Sequence, residues 1–127
     1  MRVAAVRWQV IGMAAFFVLI GTRWTPVNAA ELLVFELPKC APCLRFEHDV
    51  GRIYSRTDEG RLAPLKRLTL GKPTQAYRFV GPAKVAPTFV LVDAGREIGR
   101  FEGYSSDELF WMSLSTRLRL LHPLDTH

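Results

Sequence analysis

The chain contains two cysteines, and they stand together as Lys39-Cys40-Ala41-Pro42-Cys43. Their surroundings restrict what they can do. Ahead lies Leu32-Leu33-Val34-Phe35, an apolar run of strand length, with Pro38 two residues before the first cysteine. Behind, Leu44, Phe46, Val50, Ile53 and Tyr54 recur at helical spacing, with Arg45, Glu47, Asp49 and Arg52 between them. The C-x-x-C pair thus occupies the first turn of a helix that directly follows a strand. There the Cys40 sulfur meets the free N–H groups and positive dipole end of the helix, which favour thiolate over thiol. Lys39 adds a positive charge in the same direction. Cys43, one turn on, is within disulfide reach, and Pro42 suits a first turn because its missing N–H would be unsatisfied anyway.

Three chemistries use such a pair. A zinc site needs about four ligands, and the chain adds only the scattered His48, His122 and His127, with no second paired motif. A structural disulfide across a two-residue spacer restrains the unfolded chain little, so it is a poor staple. A redox-active dithiol needs nothing further, and it is the reading the residues favour. It implies no metal and no organic cofactor beyond a Cys40–Cys43 disulfide. His48, among charges on the helix, reads as a solvated residue.

The amino terminus carries an address. Arg2 and Arg7 precede an apolar core of 11 residues from Val10 to Ile20, and Val27-Asn28-Ala29-Ala30 supplies small residues at a cleavage point. This is the pattern of a secretory signal peptide, with cleavage expected after Ala29 and Ala30 as the neighbouring choice. The core is short of the ~20 residues of a spanning helix. Arg23, close behind it, leaves an uncleaved anchor as the alternative. Losing residues 1–29 from the 127 leaves a single domain, 30–127, of 98 residues. Arg2, Arg7 and Arg23 leave with the signal, so 14 of the 17 basic residues face 12 acidic ones, a net +2. Dispersed among acids, those cations argue against a nucleic-acid partner. Export to the periplasm puts the pair in an oxidising compartment, where a dithiol depends on a dedicated electron source.

Further along, the first helix is expected to reach about Arg56 and end at the turn cluster Thr57-Asp58-Glu59-Gly60. Leu62 to Leu70 reads as a strand, with Leu65, Leu68 and Leu70 inside and Lys66 and Arg67 outside. Gly71-Lys72-Pro73 breaks it, and Gln75 to Val80 holds one or two helical turns before Gly81 and Pro82. Val85 to Asp93 is a β-forming run with Pro87 at its start, where no ladder donor is needed. Asp93-Ala94-Gly95-Arg96 signals a hairpin into Glu97 to Phe101, closed by Gly103. Ser105 and Glu108 form a capping box for a last helix with Phe110, Leu114, Leu118 and Leu121 on one face, ended by Pro123.

In this order, with these motifs, the chain resembles the thioredoxin family over essentially its whole mature length. The resemblance implies an α/β, thioredoxin-like fold: a central mixed β-sheet of about four strands flanked by helices. It makes Cys40-Ala41-Pro42-Cys43 the active-site motif, Cys40 the nucleophile and Cys43 the resolving cysteine. Ala86-Pro87-Thr88 matches the cis-proline segment, which offers the Ala86 backbone for strand-like pairing with a partner's cysteine segment. Gly103 matches the glycine beside the partner groove. There are departures. Lys39 replaces the family's usual tryptophan, and Val34 stands where the family has a buried, proton-handling aspartate. Glu36 is then the candidate relay. The motif has no histidine, so a reductase or mid-range exchanger is expected rather than a strong oxidant.

A narrower similarity exists to the SoxS group, periplasmic thioredoxin-like proteins of bacterial sulfur-oxidation clusters often labelled regulatory. It is carried by Ile53, Thr57-Asp58-Glu59-Gly60-Arg61, Ala63-Pro64-Leu65-Lys66-Arg67, Ala86 to Val92, Gly103-Tyr104 and Phe110-Trp111. That similarity implies a monomeric periplasmic reductase. Its partners would be a cysteine-containing sulfur-carrier protein and a membrane thiol electron donor. General periplasmic or cytochrome c maturation disulfide reduction, and a non-catalytic binding module docking through the Pro87 groove, are the alternatives.

Overall fold

A run that is apolar on both faces rests only in the middle of a sheet covered on both sides, and that is where β1 (Ala30–Glu36) lies in the computed structural model. The structure describes residues 29–72 and 74–121. Residues 1–28 of the expected signal segment, Pro73, His122, Pro123 and His127 lie outside the described residues. β2 (Leu65–Thr69) runs parallel to β1 on one side, and β3 (Thr88–Asp93) antiparallel on the other. β4 (Arg96–Glu102) pairs antiparallel with β3, giving a mixed sheet of order β2-β1-β3-β4. This is the four-stranded mixed sheet that the family resemblance implies.

The two faces are closed differently. Leu32, Val34, Phe89 and Leu91 face a large cluster with Phe46, Val50 and Tyr54 from the segment after the cysteines. Phe110, Leu114 and Leu118 join it from α3 (Asp107–Leu118), the helix that closes the chain. Phe46 is the hub of this cluster, its ring centroid 4.8 Å from that of Phe89 and 5.2 Å from that of Phe110. On the opposite face Leu33, Phe35, Val90 and Val92 are covered by Leu68, Leu70, Tyr77, Val80 and Ala83. That cover is mostly the β2–β3 connection, with one 3₁₀ turn at Gln75–Tyr77.

The helix after the cysteines differs from the expected continuous one. α1 spans Ala41–Phe46, followed by a π turn over Glu47–Gly51 and a 3₁₀ turn over Tyr54–Arg56. The π turn is closed by the Arg52 N–H donating to the Glu47 carbonyl at 3.2 Å. A π turn advances the chain by less rotation per residue than the 3.6 period assumes. Val50 and Tyr54 therefore still reach the core, whereas Ile53, expected beside them, is exposed; Leu44, upstream on the side of α1 opposite Phe46, is exposed as well.

The supposed turn cluster is itself helical. α2 (Asp58–Leu62) is capped by Thr57, whose Oγ1 accepts from the Gly60 N–H at 3.0 Å, with Asp58 and Glu59 in the first turn. Leu62 belongs to this helix, so β2 starts only at Leu65. β3 likewise begins at Thr88 and not at Val85, after Pro87 has entered without a donor. The hairpin is as expected: Ala94 (φ 49°) and Gly95 (φ 78°) are both left-handed, the two-residue turn whose twist matches paired strands. A register shift at Leu91/Val92 marks a bulge in the ladder. The cap of α3 is Ser106 and not Ser105, its Oγ accepting from the Leu109 N–H at 3.3 Å, so Glu108 falls one place short of the capping-box position.

Gly60 sits buried beneath the Tyr54 carbonyl, so close that a Cβ would overlap that oxygen and crowd the Ser55 backbone. Gly60→Ala should cost about 1–3 kcal/mol, as overpacking against rigid backbone does. It should lower the urea midpoint at unchanged slope. A midpoint equal to that of the parent protein would contradict the contact.

Candidate active site

β1 ends at Glu36, and Leu37 and Pro38 run exposed to Lys39. Lys39 is left-handed (φ 59°), a conformation uncommon outside glycine, and it turns the chain into the head of α1. Cys40 is the N-cap. Its Sγ accepts from the Cys43 N–H at 3.3 Å, and its carbonyl accepts from the Leu44 N–H at 3.0 Å. Ala41 and Pro42 fill the first helical positions, where proline's missing N–H is harmless. Cys40 and Cys43 are disulfide-bonded, their Cα atoms 5.2 Å apart, inside the ordinary span. Cys43 is buried and Cys40 half-buried, so the first cysteine is the one a partner reaches.

A second segment meets the motif from the start of β3. The Ala86–Pro87 peptide bond is cis, and the Ala86 carbonyl oxygen lies 3.6 Å from Cys40 Sγ. Thr88 is fully buried, its hydroxyl donating to the Val85 carbonyl at 2.6 Å, which pins the loop before β3. The Pro87 carbonyl accepts from the Gly103 N–H at 2.8 Å. Gly103 is left-handed (φ 77°), where a side chain is disfavoured. Segments separated by more than forty residues in sequence thus converge at the disulfide, with Lys39, Ala41 and Pro42 in the first and Ala86, Pro87 and Thr88 in the second.

Tyr104 was not singled out from the sequence as a site residue, yet it ties these parts together. Its buried hydroxyl donates to Asp49 Oδ2 at 2.8 Å, and its carbonyl accepts from the Arg45 guanidinium at 3.3 Å. The Gly103 segment is thereby fastened to the end of α1 and the π turn. Burial and the hydrogen bond to Asp49 push the Tyr104 phenol up. Asp49 is held below its ordinary 3.8, first by the hydrogen bond from His48 and then by that from Tyr104. His48 is exposed, as expected, though paired with Asp49 at 2.9 Å. Only the tertiary fold brings positions 49 and 104 together, so no local pattern announces the pair.

Glu36 is engaged. Its Oε1 accepts from Arg67 Nη1 at 2.7 Å, and the same guanidinium bridges to Glu47. Gly51 leaves the room for that bridge, since a Cβ there would meet the Glu47 carboxylate. Burial raises the Glu36 pKa, Arg67 opposes the rise and the neighbouring Glu47 adds to it. Val34, at the position of the family's aspartate, is fully buried in the apolar cluster. Among the described residues no three His, Cys, Asp or Glu side chains gather as metal ligands, and no helix is long and apolar enough to cross a membrane.

This sheet, with a C-x-x-C disulfide at the β1–α1 junction against a cis-proline loop, is that of the thioredoxin-fold thiol–disulfide oxidoreductases. No family model matches the sequence, nor does any curated protein. Solved structures do. Thioredoxin from Malassezia sympodialis superposes with a TM-score of 0.52 at 20% identity, over 71% of this chain and 78% of its own. Thioredoxin from Fasciola hepatica gives 0.51 at 16%, over 71% and 82%. At such identities they share the fold. The periplasmic thioredoxin SoxS from Paracoccus pantotrophus, in its reduced form, gives 0.70 at 36% identity, over 73% of this chain and 99% of its own. The chain belongs to the thioredoxin family, in the group of that SoxS protein, and is a thiol–disulfide oxidoreductase.

The Glu36 shift sets a pH dependence with a definite sign. Its folded-state pKa lies above the ordinary 4.5, so between the two values the folded protein holds a proton that the unfolded chain has lost. Its contribution to stability is complete below 4.5 and is lost as pH rises through the folded value. Glu36→Gln should flatten the stability profile just above pH 4.5, read from urea midpoints across pH. An unchanged slope there would contradict the assignment.

Proposed function

We propose that the protein is a periplasmic thiol–disulfide reductase that restores a cysteine of a sulfur-carrier protein. The observation that carries this is the 36% identity to periplasmic SoxS across 99% of that protein, with Cys40–Cys43 at the head of α1. An amino-terminal segment with the pattern of a secretory signal supports the compartment.

Cys40 is the nucleophile in this scheme. It is the more exposed cysteine, it caps the helix, and Lys39 precedes it, all of which favour an accessible thiolate. The Cys40 thiolate attacks the partner's disulfide sulfur. The old S–S bond breaks, its other sulfur leaves as a thiolate, and a mixed disulfide forms. Cys43, deprotonated in turn, attacks Cys40 Sγ, and the partner's cysteine leaves as a thiolate that takes up a proton. The pair has lost two electrons and the partner's disulfide has gained them. Glu36, at the end of β1 ahead of the cysteine loop and hydrogen-bonded to Arg67, is the carboxylate assigned to take the Cys43 proton. Ala86 supplies backbone for pairing with the partner segment, with Pro87, Thr88 and Gly103 fixing its position. A membrane thiol donor returns the two electrons.

Trapping tests the scheme. Cys43→Ser, expressed in the host, should accumulate a mixed disulfide between Cys40 and its partner, released by dithiothreitol and identifiable by mass. Cys40→Ser should accumulate none. An adduct formed through Cys43 would reverse the two roles, and no adduct in either variant would remove the reductase reading.

A further inference from the structure

The charge around the disulfide is uneven, and it bears on what docks there. Lys39 directly precedes Cys40, and Lys84 lies two residues before Ala86, whose carbonyl oxygen is 3.6 Å from Cys40 Sγ. Both side chains are exposed, and among the described residues neither pairs with a carboxylate. Elsewhere Lys66, Arg67 and Arg100 are matched with Glu31, Glu36, Glu47 and Glu97. Arg45 adds a third cation, its guanidinium on the Tyr104 carbonyl next to Gly103.

The carboxylates nearest the two lysine-bearing segments are engaged elsewhere. Glu36 is neutralised by Arg67, and Asp49 is occupied by His48 and Tyr104. Exposed carboxylates stand on the Gly103 side, Glu102 at the end of β4 and Asp107 and Glu108 at the head of α3, where they act on Tyr104, while the segments of Cys40 and Ala86 carry the two lysines. Leu37 and Leu44 on the Cys40 segment and Val85 on the Ala86 segment are exposed, giving the two lysines an apolar setting. An apolar rim studded with unmatched positive charge is complementary to an acidic, extended segment.

Resting on the reductase reading above, we propose that Lys39 and Lys84 select the substrate: a cysteine disulfide carried on a partner segment whose flanking residues are Asp or Glu. The partner lays that segment along the Ala86 backbone, its cysteine sulfur reaching Cys40 and its carboxylates meeting the two ammonium groups. Both lysines act on encounter and register, where charge at a rim has its effect, and Lys39 does so in addition to favouring the Cys40 thiolate.

The test uses the reduced protein purified from its host. Three synthetic peptides differ only in the residues flanking one cysteine, which are Asp, Ser or Lys. Each cysteine is presented as its neutral pyridyl disulfide, so that Cys40 attacks the peptide sulfur, thiopyridone leaves and is read by absorbance, and Cys43 then frees the peptide thiol. At low ionic strength the Asp peptide should react roughly tenfold faster than the Lys peptide, with Ser between. Near 1 M salt, where screening shortens to about 3 Å, the three rates should converge.

Lys84→Gln should cut the Asp-to-Lys ratio roughly threefold and leave the Ser peptide near its parent rate, whereas Lys39→Gln should cut the ratio and also slow all three peptides, because Lys39 favours the Cys40 thiolate. Equal rates for the three peptides at low salt would overturn the proposal while leaving the reductase intact. A loss equal for all three in Lys84→Gln, or an unchanged ratio in Lys39→Gln, would also overturn it, because charge at the rim would then not be selecting the peptide. If no peptide is reduced at all, the reductase reading fails and this one falls with it.

Discussion

The structure depends on one constraint: β1 is apolar on both faces and has to be covered on both. Leu32, Leu33 and Val34 are each fully buried, and side chains of this kind contribute roughly 1.5–3 kcal/mol apiece when removed from water. A single exposed hydrogen bond contributes about 1 kcal/mol, so burial decides where this strand lies and the polar contacts follow. With β1 central, its carboxyl end lies at one edge of the sheet, next to the start of β3. The loop carrying Cys40 and the loop carrying Pro87 meet for that reason, and the 3.6 Å approach of Cys40 Sγ to the Ala86 carbonyl is its local consequence.

What fixes the meeting point more finely is a chain of contacts through β4. Gly103 donates to the Pro87 carbonyl, and the next residue, Tyr104, reaches back to Asp49 and accepts from Arg45. Phe46, on the buried side of α1, packs against Phe89, Phe110 and Tyr104. The helix bearing the cysteines is therefore held by its apolar side against β3 and α3. Its outer side, with Leu44 and Arg45, is left to solvent and to whatever docks.

The sheet and the chemistry were legible in the sequence because each has a short-range signature. The apolar runs at 32–35 and 88–92, the left-handed pair in Asp93-Ala94-Gly95-Arg96 and the spacing of Cys40 and Cys43 are all read within a few residues. The reach of the first helix was not. A 3.6 period counted through Glu47–Gly51 assigned Ile53 to the core, and the π turn there leaves it exposed, while Leu44, two residues from buried Phe46, lies on the opposite side of α1. Thr57-Asp58-Glu59-Gly60 has turn composition, but the same residue types begin helices, and the Tyr54 hydroxyl on the Ala63 carbonyl stabilises the helical choice. At the site, Cys40, Cys43, Pro87 and Gly103 came from motif and resemblance. Tyr104–Asp49 and Glu36–Arg67–Glu47 did not, since each joins residues brought together only by the finished fold.

The central claim is that electrons leave the Cys40–Cys43 pair toward a partner. Thiolate-stabilising features push a pair toward oxidant behaviour, and here they amount to one helix end and one lysine, with no histidine in the motif. The most direct measurement is the reduction potential, from the fraction of Cys40–Cys43 disulfide after equilibration in dithiothreitol or glutathione buffers. The account places it nearer thioredoxin's roughly −270 mV than the roughly −120 mV of the strong periplasmic oxidant. Those limits differ by about 150 mV, close to 7 kcal/mol for two electrons, so the result discriminates. A value near the oxidant end would mean that the protein introduces disulfides into its partners, and would contradict the account.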